Sequence, residues 1–92
     1  MAGDQTRVAV SVAVTVRYWA AARAAAGVDA QTLELAAPTT VGAVVDAAVA
    51  AHPQLRRVAR VATFLLDGRS VGRDATVEDG ARVEVLPPFA GG

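Results

Sequence analysis

The chain has 92 residues, and its nine arginines and nine acidic residues cancel to a net charge of zero. This length suits one small domain, and a hydrophobic fraction of 53%, carried mainly by alanine and valine, excludes a disordered protein. The neutral balance and the scarcity of aromatic residues argue against a nucleic-acid-binding surface. One histidine and no cysteine cannot supply the usual zinc or iron ligand sets, so we expect no metal site.

We predict a single domain over residues 1–92, with residues 1–7 as a loose lead-in and residues 87–92 as a protruding tail. The apolar run at residues 8–16 superficially resembles a secretory signal. Asp4 before this run and Arg17 after it argue against that function, and the run is too short to span a bilayer. The expected location is the cytoplasm.

Residues 8–18 alternate between large apolar side chains and smaller or polar ones, which predicts a β-strand. One face carries Val8, Val10, Val12, Val14, Val16 and Tyr18, and the other carries Ala9, Ser11, Ala13, Thr15, Arg17 and Trp19. Because the second face is small and only mildly polar, we expect a central strand that a helix covers on one side.

A short helix and a second strand are predicted next. Residues 20–26 are mostly alanine, which is a strong helix former, and Gly27 can end this helix in the left-handed conformation. Residues 31–35 alternate again, with Leu33 and Leu35 directed inward. Because the connection is short, this strand is expected to lie antiparallel to the first.

The main helix is predicted to begin after Thr40, a good N-cap residue, and to end near His52, because Pro53 disfavours helical geometry in the residue before it. Its core face is an apolar stripe at helical spacing: Val41, Val44, Val45, Ala48 and Val49. His52 is expected to be a favourable charge near the helix C-terminus rather than a catalytic base, since the local sequence offers it no carboxylate.

Residues 54–60 predict another short helix, with Leu55 and Val58 inward. Its outward positions are arginines: Arg56, Arg57 and Arg60. Three arginines in five residues are most often a solvated face, and the alternative is a binding patch for an acidic partner.

A hairpin follows, because residues 61–66 are almost wholly apolar and Asp67-Gly68 is a strong turn signal before a return strand at residues 69–71. A polar connection over residues 72–80 should place Val77 in the core, and Asp79-Gly80 predicts a second turn at its end.

The last strand is predicted over residues 82–86, with Val83 and Val85 on one face. The order of elements predicts an α+β fold, a mixed sheet of four to five strands with one main helix packed across it. The first and last strands are expected to lie side by side in parallel at its centre.

The chain ends Pro87-Pro88-Phe89-Ala90-Gly91-Gly92. The prolines cannot donate to a sheet and stiffen the chain, while the glycines leave the terminal carboxylate on a thin, unbranched thread. Such a tail can enter another protein's active site while the folded body stays outside. For the phenylalanine two roles stay open: an anchor at the partner's entrance, or a side chain folded back onto its own domain.

Together these motifs resemble the ubiquitin-like β-grasp sulfur carriers, and most closely the small subunits of molybdopterin synthase. The matching segments are residues 16–20 with Gly27, Thr40-Val41, residues 66–68, residues 79–83 and residues 87–92. The departures are the extra residues 1–11 and Trp19, where a smaller aromatic residue is usual.

The resemblance implies a β-grasp fold and a terminal carboxylate, here that of Gly92, which is adenylated, converted to a thiocarboxylate and used as a sulfur donor. The residues implied to contact the partner are Pro87, Pro88, Phe89, Ala90 and Gly91. The implied partners are the large subunit of molybdopterin synthase, a ubiquitin-activating-type adenylyltransferase that uses ATP, and a sulfurtransferase. The chain itself is expected to bind no cofactor and to be a reactant, the sulfur-donating subunit of a heteromeric sulfurtransferase, rather than an enzyme by itself.

Three alternatives remain open. The same terminus serves thiamine and cysteine biosynthesis, although the Pro-Pro-Phe segment favours molybdopterin synthase. A ubiquitin-like modifier would instead join Gly92 to lysines of target proteins, and an inert interaction module would not use the glycines at all. An independent enzyme is disfavoured, because the chain has no cysteine and no lysine and its sequence offers no obvious pair of carboxylates in a cleft.

Overall fold

The structure is a computed structural model that describes residues 10–89. Its elements in chain order are β1 (Ser11–Tyr18), α1 (Ala21–Ala26), β2 (Ala30–Ala36), β3 (Thr39–Thr40), α2 (Val41–Ala51), α3 (Leu55–Val61), β4 (Thr63–Leu66), β5 (Arg69–Val71), β6 (Thr76–Val77) and β7 (Arg82–Leu86). The predicted lead-in at residues 1–7, the first two residues of the predicted first strand (residues 8–9) and the last three residues of the predicted tail lie outside the described part of the chain.

Five strands form one mixed sheet in the order β2-β1-β7-β4-β5. β1 is antiparallel to β2 and parallel to β7, with Val16 opposite Val83, and β4 is antiparallel to both β7 and β5. The predicted parallel pairing of the first and last strands at the centre of the sheet is therefore confirmed. The arrangement is that of a β-grasp fold.

The core lies between this sheet and the helices. Its fully buried members come from β1, α1, α2, α3 and β7: Val14, Val16, Tyr18, Ala22, Val41, Val44, Val45, Ala48, Leu55, Val83 and Val85. Leu33 and Leu35 of the edge strand β2 pack against this cluster while remaining half-buried, and so does Val49 at the end of the predicted helix stripe. The alternation in β1 and the stripe of α2 are confirmed as core faces.

The main helix begins and ends where the sequence predicts. Thr40 is its N-cap, and the Thr40 Oγ1 accepts a hydrogen bond from the Ala43 amide at 3.2 Å. The two amides before Ala43 are bonded to the loop that precedes β6. Val41 donates to the Ala75 carbonyl at 2.9 Å, and Gly42 donates to the Arg73 carbonyl at 2.7 Å.

Two predicted strand boundaries were wrong. Val10 is 63% exposed and precedes β1, which begins at Ser11, where pairing with β2 begins. Val61 ends α3 and is 62% exposed instead of opening β4, because the strand starts only where Thr63 lies opposite Leu86 of β7. An apolar residue at such a junction follows neither the helical nor the strand period.

The connection at residues 72–80 also holds a strand that the sequence analysis missed. β6 pairs with β3 in a separate two-stranded sheet, with Thr39 opposite Val77. Val77 is 2% exposed, so its predicted burial in the core is confirmed. Two-residue strands carry no period that a sequence can display.

Candidate functional site

The C-terminal tail starts from the strand at the centre of the sheet. On one side of β7, Tyr18 of β1 lies opposite Val85, and on the other side Thr63 of β4 lies opposite Leu86. The Trp19 amide adds one more hydrogen bond, to the Val85 carbonyl at 3.2 Å. The strand that carries the tail is thus held by neighbours on both sides up to Val85, and by β4 up to its last residue, Leu86.

Two turns fix the N-terminal end of β7 through aspartate side chains, one bonded to β7 itself and the other to the neighbouring strand β1. Asp67 Oδ1 accepts from the Arg82 amide at 3.0 Å, while the Asp67 amide donates to the Arg82 carbonyl at 2.9 Å. Asp79 Oδ1 accepts from the Ala13 amide at 2.8 Å, and the Gly80 amide donates to the Ala13 carbonyl at 2.8 Å. The sequence analysis identified both Asp-Gly pairs as turns, but the contacts of the carboxylates depend on a register that it could not supply.

Beyond β7 the chain leaves the body of the protein. Pro87 is buried and Pro88 is exposed. The Phe89 side chain is 93% exposed, and its backbone has a left-handed φ of 65°. Phe89 therefore does not pack onto its own domain. The other predicted site residues, Ala90, Gly91 and Gly92, lie outside the described residues.

A polar and aromatic cluster lies beside this exit, on the sheet face opposite the core. Trp19 Nε1 donates to Glu84 Oε2 at 3.3 Å, and the Arg17 guanidinium carbon lies 4.4 Å from the centroid of the Trp19 ring. Arg82 adds an ion pair to Glu84 Oε2 at 3.6 Å. Because 36% of Trp19 remains exposed, the cluster forms a partly apolar outer surface beside the point where the tail leaves β7.

The sequence places Trp19 and Arg17 on the second face of the first strand and marks Trp19 as a departure from the family pattern, but their contacts with each other and with Glu84 were missed. The alternation of β1 puts Arg17 on the outer face, and the alternation of β7 does the same for Glu84. Their opposite charges suit a cross-strand pair, which would have identified the cluster once the two strands were aligned.

A strained residue sets the direction of the chain next to Trp19. The Ala22 amide donates to the Trp19 carbonyl at 2.9 Å and closes a turn. Its second residue, Ala20, has φ 50° and ψ −121°, the angles of the first central position of a type II′ turn, which glycine normally occupies. An alanine there costs about 1–3 kcal/mol, a cost that the surrounding structure offsets.

The ThiS family model matches residues 16–92, which includes all of the tail. The chain belongs to the ThiS family. Over 81 residues this ThiS-family chain is 33% identical to the molybdopterin synthase sulfur carrier subunit of Chlamydomonas reinhardtii, a match that covers 86% of this chain and 98% of the relative.

Solved structures share the fold of this ThiS-family chain. A putative molybdopterin converting factor subunit 1 from Pyrococcus furiosus is 28% identical, with a TM-score of 0.76 over 85% of this chain and 99% of that one. SAMP1 from Haloferax volcanii is 25% identical, with a TM-score of 0.79 over 87% and 99% of the two chains. A complex of subunits 1 and 2 of the molybdopterin-converting factor from Helicobacter pylori matches at 17% identity with a TM-score of 0.66, covering 88% and 100%, which is a likeness of fold.

The sole histidine of this ThiS-family chain takes part in a hydrogen-bond network with side chains of β1 and β2. His52 Nε2 and the Tyr18 hydroxyl both lie 2.6 Å from Gln31 Oε1, and the His52 and Tyr18 rings make an edge contact at 6.0 Å. Since the amide oxygen only accepts, Nε2 carries a proton and donates. His52 thus joins α2 to β1 and β2, which is a structural role.

Among residues 10–89 no group of three or more His, Cys, Asp or Glu side chains could hold a metal ion. No helix in the same range is long and apolar enough to cross a membrane. What the arrangement can do is to carry the tail from a strand that is hydrogen-bonded on both sides.

Proposed function

We propose that this ThiS-family chain is a sulfur carrier that reacts through the carboxylate of Gly92, as the small subunit of a molybdopterin synthase. The observation that carries the proposal is the exit of the tail. It leaves a central strand held on both sides, and Pro88 and Phe89 project into solvent. The match to a molybdopterin synthase sulfur carrier subunit, over 86% of this chain and 98% of that one, supports the same function.

The residue types of the tail suit activation by another protein. A free carboxylate is a poor electrophile, so one Gly92 oxygen first attacks the α-phosphate of ATP and pyrophosphate leaves. Sulfur at the sulfide oxidation level then attacks the acyl adenylate; the bond to AMP breaks and a carbon–sulfur bond forms. Gly91 and Gly92 keep the thread narrow enough for this approach, because any Cβ would widen it.

The partners follow from these steps. A ubiquitin-activating-type adenylyltransferase uses ATP, a sulfurtransferase supplies the sulfur, and the large subunit of molybdopterin synthase receives it; the encounters take place in the cytoplasm. The contacts to these partners come from Pro87, Pro88, Phe89, Ala90 and Gly91. The near-complete exposure of Phe89 supports its role as the anchor at the partner's entrance.

Mass spectrometry of the intact chain tests the proposal. The protein is incubated with an activating enzyme of this type, ATP and a sulfur source, and we expect a mass gain equal to the exchange of one oxygen for one sulfur, located at Gly92 by fragmentation. The same mixture without ATP is the control and should leave the mass unchanged. A chain that never gains sulfur in the complete mixture would contradict the proposal.

The likeness to SAMP1, a small archaeal modifier protein by its name, favours a second candidate function, conjugation to other proteins. Conjugation would join Gly92 to a lysine amine of a target. Because this chain contains no lysine, it could not itself be a side-chain acceptor, and chains of it could not form on lysine. This function would be identified by covalent adducts between the chain and proteins of a cell lysate, provided that the adducts form only when Gly92 and ATP are both present.

A further inference from the structure

A groove in the helical layer combines positive charge with an apolar floor. It lies between α2 and α3, and its cavity measures about 330 Å³. Val45, Val49 and Ala59 form the floor, and the rim carries the guanidinium groups of Arg56, Arg60 and Arg73. We call these six residues the arginine groove.

The charge of the groove is not balanced locally. No acidic residue occurs between Asp46 and Asp67, whereas α3 alone holds three arginines. Asp46 also lines the cavity, but Arg73 binds it at 2.6 Å. Within residues 10–89, no acidic side chain lies within 4.0 Å of the guanidinium of Arg56 or Arg60. In a chain of zero net charge, this is a local excess of positive charge.

The floor indicates the kind of ligand. Val45 is 1% exposed and Ala59 is 9% exposed, so small side chains close the bottom of the groove and offer no hydrogen-bond donor. A free phosphate would need donors on several sides, whereas an apolar side chain would gain from the contact. Each guanidinium group on the rim can bind a carboxylate through two parallel hydrogen bonds.

We propose that the arginine groove binds an acidic segment of a partner protein, with an apolar side chain on the floor and flanking carboxylates on Arg56 and Arg60. The groove belongs to the helical layer, whereas Trp19 and Glu84 lie on the opposite face of the sheet. A protein bound in the groove therefore leaves the surface beside the start of the tail accessible. This binding does not depend on the proposed function.

An NMR titration tests the groove directly. The 15N-labelled protein is titrated with a capped peptide of sequence Glu-Leu-Glu-Glu-Leu-Glu, and we expect saturable shifts centred on the amides of Val45, Val49 and Ala59. The double variant Arg56→Glu/Arg60→Glu should bind at least about tenfold more weakly, since two charge-assisted contacts become repulsive. Arg60→Glu alone should also weaken binding, whereas its matched control Arg69→Glu, which makes the same change of charge at an exposed position of β5, should bind like the parent.

Each of the other outcomes would overturn the proposal. Absence of shifts, or equal weakening by Arg69→Glu, would mean that only nonspecific charge attraction is present. Equal binding of a peptide with lysine in place of glutamate would exclude charge recognition. Saturation of the same amides by inorganic phosphate at lower concentration would indicate a small-anion site, and shifts that depend on protein concentration without peptide would indicate a second copy of the chain. All three substituted positions are exposed, so the variants should fold, and well-dispersed 15N spectra of the free variants would verify this.

Discussion

Tyr18 is the largest of the fully buried side chains, with 1% of its surface exposed. It reaches a polar partner, since its hydroxyl donates to Gln31 Oε1 at 2.6 Å, and His52 shares that acceptor. Burial of the phenol disfavours the charged tyrosinate and raises the pKa of Tyr18 from 10.0 to about 12. One side chain thus links β1, β2 and the end of α2 in a single network.

The raised pKa of Tyr18 predicts a loss of stability in alkali. Because the folded pKa lies above the unfolded one, the contribution of the neutral phenol is complete below pH 10 and is lost as the pH rises through about 12. The free energy of unfolding should fall by roughly 2–3 kcal/mol over that window. Tyr18 is the only tyrosine, so ultraviolet difference spectroscopy follows its ionisation without interference from another. Tyr18→Phe should remove the pH dependence, and a folded chain whose tyrosine ionises near pH 10 would contradict the prediction.

Contacts of this kind explain why residue-level features were only partly predictable. His52 was placed correctly at the end of the main helix from Pro53, and the structure makes it the C-cap. Its partner Gln31 is 21 positions away in sequence and becomes a neighbour only through packing of α2 on the sheet. Local patterns predict where a side chain lies along an element, while its partner depends on the register between elements.

At the scale of elements, α2 is the part of the chain whose packing the sequence determines most directly. Its apolar positions recur at helical spacing, and the structure buries four of the five predicted side chains completely against the sheet. Periodicity over eleven residues is a local signal and was sufficient. The two-residue strands β3 and β6 display no period, so their pairing depends on contacts distant in sequence and could not be predicted.

A charge in the stripe of α2 should therefore unfold the protein. Val45→Asp puts a carboxylate at a position that is 1% exposed, at a cost of at least about 3 kcal/mol. A small domain has a total stability near the lower end of about 5–15 kcal/mol, so little would remain. Ala50→Asp, at an exposed position of the same helix, is the control and should change stability by less than about 1 kcal/mol. Circular dichroism melts of both variants decide the matter; a cooperative transition of Val45→Asp close to that of the parent would show that the stripe is not the core face.

For the molecule as a whole, the fold separates the part that holds the protein together from the part proposed to react. Every member of the core cluster lies between Val12 and Val85, and the strand that ends at Leu86 is paired on both sides. The element order alone predicted the central position of this strand, because in a mixed sheet with one helix packed across it the first and last strands can lie side by side at the centre. What it could not predict is the outer surface beside the exit, where Trp19 and Glu84 meet only in the folded protein.

Deletion of Gly92 should for that reason abolish sulfur transfer and leave the fold unchanged. No core side chain is removed, so the thermal melt should coincide with that of the parent. The shortened chain would end at Gly91, and its carboxylate would stop about 3.5 Å short of the position that the intact terminus reaches. We expect sulfur loading, measured by intact mass under the conditions that load the parent, to fall by at least about a hundredfold, since a misplacement of about 1 Å can already cost that much. Loss of the cooperative melt on deletion would contradict the separation of scaffold and tail, whereas undiminished loading at Gly91 would show that the length of the tail does not position the reactive carboxylate.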